Sequence, residues 1–451
     1  MLIIIGGDAA GMSAAGRYKR ENPDGELIVL EKTDDVSYSA CSMPYNIADP
    51  DSVMDSLIVR KAEVFRQQQG IDLRTGHEVT SIDRKNRTVS GQRSDGTSFT
   101  LAWDKLLIAT GGHAIRPDLP GMDLPGVMVL KTLEDGRRLK AFLAGDTVRS
   151  AVIIGMGYIA LEMCEALVKR GIRVSMVKKR ETFMPWLVPE QSEVILKDLK
   201  DRGAEIHTGR EILGVEKGTG AALAVRCRDL TLEGDLVLVA MGISPASELA
   251  EKAGLKLGPE KSIHIDEYMR TSDPDIYAAG DCADALHMVT GRPVWIPLAL
   301  TANRGGRFAA DSILGKDAPF QGTAGTAVFR VFDLEVARTG LTMEEAREAG
   351  FDPVYADIIS KSKAHTFSDA AKIHAALIGD RTTGRLLGAQ MTGTEGVARR
   401  INAPAVALMS GMTVERFYQA DTAYAPPFSP VWDPLLMAAG NLLKKLGNAG
   451  A

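Results

Sequence analysis

The chain is poor in cysteine, and none of its cysteines are spaced in pairs. Four occur in 451 residues, Cys41, Cys164, Cys227 and Cys282. No two stand at the separations of a disulfide framework or a zinc site, so no metal is expected and a reducing setting, the cytoplasm, fits. Long hydrophobic runs are also missing, which excludes a membrane span from the expected features. The opening MLIIIGG is too short for a signal-peptide core and runs into a glycine turn, so it reads as a first strand. No basic block recommends nucleic acid as a partner; the net charge is −5 with 25% charged residues, which speaks only for solubility. What is present is ordinary globular composition, 45% hydrophobic over a length that suggests two to four domains.

The order of motifs then becomes informative. Leu2 to Ile5 reads as a buried strand, followed by GGDAAG and a helix beginning near Met12. A dinucleotide fold needs a tight glycine turn here, so that backbone N–H groups and the helix N-terminus approach a pyrophosphate. Gly6 and Gly11 hold the outer positions of that fingerprint, with Asp8 where a glycine is usual. Glu31 ends the next strand, LIVLE, where a carboxylate accepts hydrogen bonds from ribose hydroxyls; a solvated strand-end carboxylate is the alternative. A charged helical segment (Arg60 to Gln69) and an antiparallel hairpin turning at Lys85 and Asn86 follow. The strand KLLIAT then ends at Thr110, Gly111 and Gly112, over the expected nucleotide.

A second unit starts at AVIIGMGYIALE, in which Gly155, Gly157 and Ala160 fit G-x-G-x-x-A. Two fingerprints imply two dinucleotides. After this turn the next strand ends in Lys178, Lys179 and Arg180, cations suited to a 2′-phosphate, or else a solvated basic turn. NADPH is therefore expected, with NADH possible. Further on, IYAAGD places Gly280 and Asp281 at a strand end, where the carboxylate can meet the ribityl chain of a flavin. Cys282 beside it is expected to be packing. A helix from Ile296 to Ile313, beginning near Pro297 and Ala299, offers its positive end to a reduced flavin ring. From Thr323 onward strands and helices mix without a nucleotide motif, a natural place for dimer contacts. The expected fold is α/β, with two Rossmann-like dinucleotide-binding domains and a C-terminal α+β dimerisation domain. The expected boundaries are 1–112 with 244–322 for FAD, 113–243 for NAD(P), and 323–451 for dimerisation.

Between the first fingerprint and the rest of its domain lies VSYSACSMPYN, with Cys41 and, three residues on, Pro44. A thiol where a loop turns into a helix meets the positive end of the helix dipole, which favours the thiolate that attacks disulfides. A small buried apolar residue is the plain alternative. The position beside a flavin fingerprint points to chemistry.

Taken together, the two fingerprints, IYAAGD, SYSACSMPY and the C-terminal AYAPPFSPVWDP resemble the single-cysteine branch of the FAD-dependent pyridine nucleotide-disulfide oxidoreductases, and within it the coenzyme A-disulfide reductases. The resemblance implies a homodimer in which the C-terminal domain of one subunit completes the active site of the other. It implies Cys41 as redox thiol, Glu31 and Asp281 as FAD contacts, and Tyr424 as the tyrosine reaching across the dimer. It also places Arg17, Arg20 and Ser37 at the CoA phosphates and pantetheine arm, against the alternative of an exposed basic helix face and a loop hydroxyl. Departures are visible too. Ala9 stands where the peroxidase and oxidase branch has histidine, Ala40 where asparagine usually precedes the cysteine, and Thr366 and Phe367 where a tyrosine pair is expected. Lys363 and His365 are new polar groups in that stretch. His365 is thus a candidate general acid or a plain surface histidine.

The expected function is NAD(P)H-dependent reduction of a small disulfide, CoA disulfide or a CoA mixed disulfide, through Cys41. Reduction of CoA persulfide or polysulfide is the nearest alternative. A low-turnover flavin redox sensor, in which Cys41 records oxidation as a sulfenic acid, is the alternative of another class.

Overall fold

The computed structural model describes residues 1–145 and 147–447. Two five-stranded parallel sheets form its first two-thirds. The first runs Ile276–Ala278, Lys105–Ile108, Leu2–Ile5, Leu27–Leu30, Asp72–Arg74. Leu2–Ile5 lies at its centre with every residue buried, which is why its sequence shows a continuous apolar run rather than alternation. The second sheet runs Glu205–His207, Arg173–Val177, Ser150–Ile154, Leu236–Val239, Val127–Met128. Its central strand, Ser150–Ile154, again leads directly into a fingerprint turn.

The chain turns sharply after each central strand. Gly6 adopts φ +111°, and a Cβ on Gly11 would stand 1.9 Å from the Gly6 carbonyl oxygen. Only glycine permits both. The helix therefore starts at once, spanning Ala9–Glu21 rather than beginning near Met12. Asp8 caps it with backbone alone, its carbonyl accepting the Met12 N–H at 2.9 Å. The other flavin-side helix is Ala299–Ile313, so Pro297 precedes it instead of opening it.

Two antiparallel layers are inserted into these units. His77–Asp83, Thr88–Arg93 and Ser98–Ala102 form one, a strand more than the expected hairpin. Ile212–Lys217, Leu223–Cys227 and Thr231–Gly234 form the other. Where the chain passes between the two parallel sheets, Gly112–Ala114 pairs antiparallel with Ile243–Pro245.

The C-terminal region is a five-stranded antiparallel sheet, ordered Ala327–Val331, Leu334–Gly340, Leu386–Gly393, Lys372–Asp380, Pro353–Lys361. All eight residues of Leu386–Gly393 are buried. The helix Pro434–Gly447 closes the core over this sheet with Leu435, Ala438, Ala439 and Leu442. A buried polar joint connects this sheet to the second unit: the Thr392 hydroxyl donates to Gln191 Oε1 at 3.0 Å, and the Val188 N–H donates to Gln390 Oε1 at 2.6 Å. Fully satisfied amides in such a place fix one docking geometry. Among the described residues no helix is long and apolar enough to cross a membrane.

Ala299–Ile313 lies directly on Ala9–Glu21. A Cβ on Gly306 would come within 2.1 Å of the Ala10 carbonyl oxygen, so the two helices touch backbone to backbone. Gly306→Ala is expected to push them apart and lower unfolding stability by about 1–3 kcal/mol, the usual cost of overpacking, as read by denaturant unfolding.

Candidate active site

Cys41 sits on a single 3₁₀ turn, Ala40–Ser42, that leads into the short helix Met43–Ala48. Its segment is tied down at several points. Ser37, at φ +49°, donates its N–H to the Gly7 carbonyl at 3.1 Å and accepts from the Val59 N–H at 2.8 Å. The Arg137 guanidinium donates to both oxygens of Asp35 at 2.7 Å and to Asp55 at 2.7 Å. Lys140 Nζ donates to the Asn46 carbonyl at 2.9 Å and the Asp49 carbonyl at 2.8 Å. Arg137 and Lys140 share the helix Leu133–Phe142, whose start is locked by a capping box of Thr132 and Asp135. Sequence reading missed both residues, because they reach segments 102 and 94 residues away with no local signal.

The charge state of Cys41 corrects an expectation. The residue is exposed, yet its thiol is pushed above its ordinary pKa, first by desolvation and then by the Glu162 carboxylate; Lys131 opposes this and Asp281 and Asp8 add to it. A helix of six residues sets only a short dipole against that burial and the three carboxylates. The net push is toward the thiol.

The first fingerprint gathers the groups expected for FAD. Glu31 Oε2 accepts the Gly7 N–H at 2.8 Å, and its Oε1 accepts the Thr33 N–H at 2.8 Å and hydroxyl at 2.7 Å. Thus the carboxylate is held rigidly at the strand end. Asp281, after Gly280, pairs with Lys131 at 2.9 Å, and the Trp295 indole donates to its carbonyl at 2.8 Å. Thr110, before Gly111, donates its hydroxyl to the Ala246 carbonyl at 2.6 Å. Lys131 and Trp295 are additions that the sequence did not flag. Cys282 is fully buried, and its sulfur faces the carbonyls of Ile108 and Ala279, which makes it packing.

The second fingerprint is open where a nucleotide would approach: a Cβ on Gly157 would meet nothing within 4 Å. Gly155 is followed by the helix Tyr158–Lys169, on which Ala160 is fully buried. Bare backbone at the helix N-terminus fits a pyrophosphate. Of the basic trio, Lys178 Nζ donates to the Thr182 carbonyl at 2.8 Å. Lys179 stays largely exposed, 3.8 Å from Glu211, and Arg180 is exposed.

Beside the first fingerprint lies a groove of about 340 Å³ lined by Ser13, Arg20, Arg60, Asn303, Arg304 and Arg307 among others. None of its four arginines forms a salt bridge among the described residues. Arg304 is half-buried over the Phe320 ring at 4.8 Å. Arg17 is not part of the groove, since it pairs with Asp311 and Glu21 at 2.9 Å each. Ser37 does not line it either, although its carbonyl accepts the Arg60 N–H at 3.4 Å. Arg304 and Arg307 stand one helical turn apart, a spacing that could have been read from sequence.

The segments that carry His365 and Tyr424 meet in the C-terminal region, where the Ala364 N–H donates to the Pro426 carbonyl at 2.9 Å. Arg400 secures both segments through Asp433 at 2.7 Å and the carbonyls of Ser362 at 3.0 Å and Phe428 at 2.8 Å. Lys363 is held by Asp369 and Glu395. Both His365 and Tyr424 are exposed. Among the described residues no hydrogen bond, ion pair or cavity joins either to Cys41 within one chain.

Asp8 provides a pH-dependent probe of this site. Burial pushes its carboxyl from 3.8 up to about 6, against the Tyr38 N–H and Lys131. Between those values the folded protein holds a proton that the unfolded chain has released, so its contribution to stability falls as pH rises through about 6. Asp8→Asn should remove that loss. Denaturant unfolding across pH should show the variant gaining on the parent from about pH 4 to about pH 7, by on the order of 1–3 kcal/mol.

The whole chain can now be compared with known proteins. The family Pyridine nucleotide-disulphide oxidoreductase matches residues 1–306, and its dimerisation domain matches residues 326–435. An "NAD(P)H sulfur oxidoreductase (CoA-dependent)" of Pyrococcus furiosus is 36% identical over 438 residues, 97% of this chain and 98% of that protein. A coenzyme A disulfide reductase of Staphylococcus haemolyticus is 27% identical over 430 residues, 95% of this chain and 96% of that protein. The structure of an NAD-dependent persulfide reductase from A. fulgidus superimposes with a TM-score of 0.95 at 34% identity, covering 99% of this chain and 83% of that one. The paired fingerprints, the parallel sheets behind them and these matches converge: the chain belongs to the pyridine nucleotide-disulphide oxidoreductase family, FAD-dependent enzymes that use NAD(P)H.

Proposed function

We propose that this protein reduces CoA-linked S–S bonds, in a CoA disulfide or a CoA persulfide, with NAD(P)H as electron source and Cys41 as the thiol that meets substrate. The observation that carries the reading is the groove with Arg20, Arg60, Arg304 and Arg307, tied to the loop before Cys41 by the Arg60 N–H, which donates to the Ser37 carbonyl at 3.4 Å. Four arginines without carboxylate partners suit the phosphates of CoA, and the Cys41 segment then receives the sulfur end.

The Cys41 thiolate attacks the S–S bond; a bond forms between Cys41 and one sulfur while the other sulfur leaves as a thiolate, or as hydrosulfide from a persulfide. FAD, when bound, supplies the two-electron step between NAD(P)H and the resulting S–S bond. The chain's own residues hold the ends. Glu31 and Asp281 stand ready for the ribose and ribityl hydroxyls, and the turns at Gly6 and Gly155 present bare backbone to the pyrophosphates. Lys179 and Arg180 favour NADPH, with Lys178 shaping their turn.

A second copy of the chain fits the exposed apolar side of the C-terminal region, where Tyr424, Phe428, Val431 and Trp432 are all more than 45% exposed. In such a homodimer Tyr424 and His365 of one protomer become available to Cys41 of the other, as groups able to protonate the leaving thiolate.

Two measurements test the reading. Cys41→Ser should keep bound FAD and its reduction by NADPH, while steady-state turnover of a CoA disulfide or persulfide falls by about 10³-fold or more. Near-parental turnover in that variant would end the assignment. Arg304→Ala should raise KM for a CoA-linked substrate by roughly 10- to 100-fold, the scale of one lost charge-assisted contact, and leave a phosphate-free disulfide almost unaffected. Equal losses on both substrates would remove the groove from the substrate site.

A further inference from the structure

Cys41 is strung from the unit of the first fingerprint but packed by the unit of the second. Val36 belongs to the core around the first parallel sheet. Beyond it the chain changes cores: Met43, Ile47 and Met54 are buried in the core around the second sheet, with Leu133 and Leu139, and only at Ala62 does the chain return. The fit is close, because a Cβ on Gly136 would stand 2.9 Å from Met54 Sδ and 3.1 Å from Met43 Sδ. Two cations complete the seat at the far end of the helix Met43–Ala48. Lys140 Nζ directs its three N–H donors there, to the Asn46 carbonyl and Asn46 Oδ1 at 2.9 Å each and to the Asp49 carbonyl at 2.8 Å. Arg170 donates to the Ile47 carbonyl at 3.1 Å and to the Leu143 carbonyl at 2.8 Å. Neither cation forms a salt bridge among the described residues. Both stand where a helix leaves its last carbonyls without partners of their own.

We propose that Lys140 and Arg170 are positioning residues for Cys41: by closing the helix that starts two residues after it, they fix where the thiol stands for attack on an S–S bond. The inference rests on Cys41 being the redox thiol. The turn Ala40–Ser42 has no buried residue of its own and runs without a break into Met43–Ala48. Its other side is held by backbone, the Ser39 N–H donating to the Leu57 carbonyl at 2.8 Å. The thiol therefore has an anchor on each side, and a shift at Asn46 reaches it through less than two turns of helix. A displacement of about 1 Å is enough to slow a reaction by roughly 10²-fold. Lys140 lies on the helix before the strand Ser150–Ile154, and Arg170 follows the helix after it. Placement of the thiol is thereby a property of the second unit, although the fingerprint turn behind Cys41 belongs to the first.

The test uses the holoenzyme of Lys140→Met, which keeps the apolar stem and removes all three donors. Amide hydrogen exchange at residues 43–48 should quicken by roughly tenfold or more, the scale of a lost hydrogen bond to a charged group, while Ala9–Glu21 exchanges as in the parent. Reduction of the flavin by NADPH should stay within about twofold of the parental rate. Anaerobic reoxidation of the reduced enzyme by 5,5′-dithiobis(2-nitrobenzoate), followed by flavin absorbance, should slow by roughly 10- to 100-fold, because the variant moves the nucleophile alone. Reoxidation at the parental rate, equal slowing of both half-reactions, or unchanged exchange at 43–48 would each overturn the proposal. If Lys140→Met does not retain flavin, Arg170→Met, which removes the Ile47 contact, decides on the same three readings. Exchange at 43–48 does not depend on any substrate, so a failure there leaves the reductase reading standing. Reoxidation of Cys41→Ser at the parental rate would instead end that reading, whatever the exchange shows.

Discussion

The contact between the helices Ala9–Glu21 and Ala299–Ile313 is the constraint on which the site depends. Gly306 lets the second helix approach the Ala10 backbone, where any side chain would collide. That approach places Arg304 and Arg307 on one wall of the groove and Arg20 on the other, and the Ser13 hydroxyl closes the seam on Asn303 at 2.6 Å. The same first helix starts at the glycine turn that faces the first dinucleotide. The Gly6 turn and the arginine groove are thus two ends of one packed pair.

Around the cysteine, burial first and then charge push the thiol up, against what helix geometry alone would do. Asp8, Asp281 and Glu162 all bear on Cys41, with Lys131 alone in opposition. Arg137 draws off Asp35 and Asp55 into bidentate and single contacts, which keeps two further carboxylates of the loop engaged. A resting thiol held mainly protonated resists stray oxidation, since the thiolate is the reactive form.

Rigid joints between units suit this arrangement. The Gln191, Gln390 and Thr392 amide and hydroxyl network is fully buried and paired, and unpaired alternatives would be costly. It holds the second parallel sheet against the C-terminal sheet.

Much was legible in the sequence because it is carried by local rules. Buried parallel strands read as apolar runs, glycine turns as fingerprints, and the order of the two fingerprints with IYAAGD as two Rossmann-like units. Cys41 stood out by its position between them. The tertiary structure decided the rest. Arg17 looks free in sequence yet is bound by Asp311, 294 residues on, whereas Arg304 looks like any helix residue and becomes a wall of the groove. The helix dipole argument for Cys41 used only neighbours in the chain; burial, with the carboxylates Glu162 and Asp281 from distant segments, pushes the thiol the other way against Lys131. Local backbone chemistry acts over a few residues and is written along the chain. Electrostatics and packing act through space, so they take their sign only after the chain has folded.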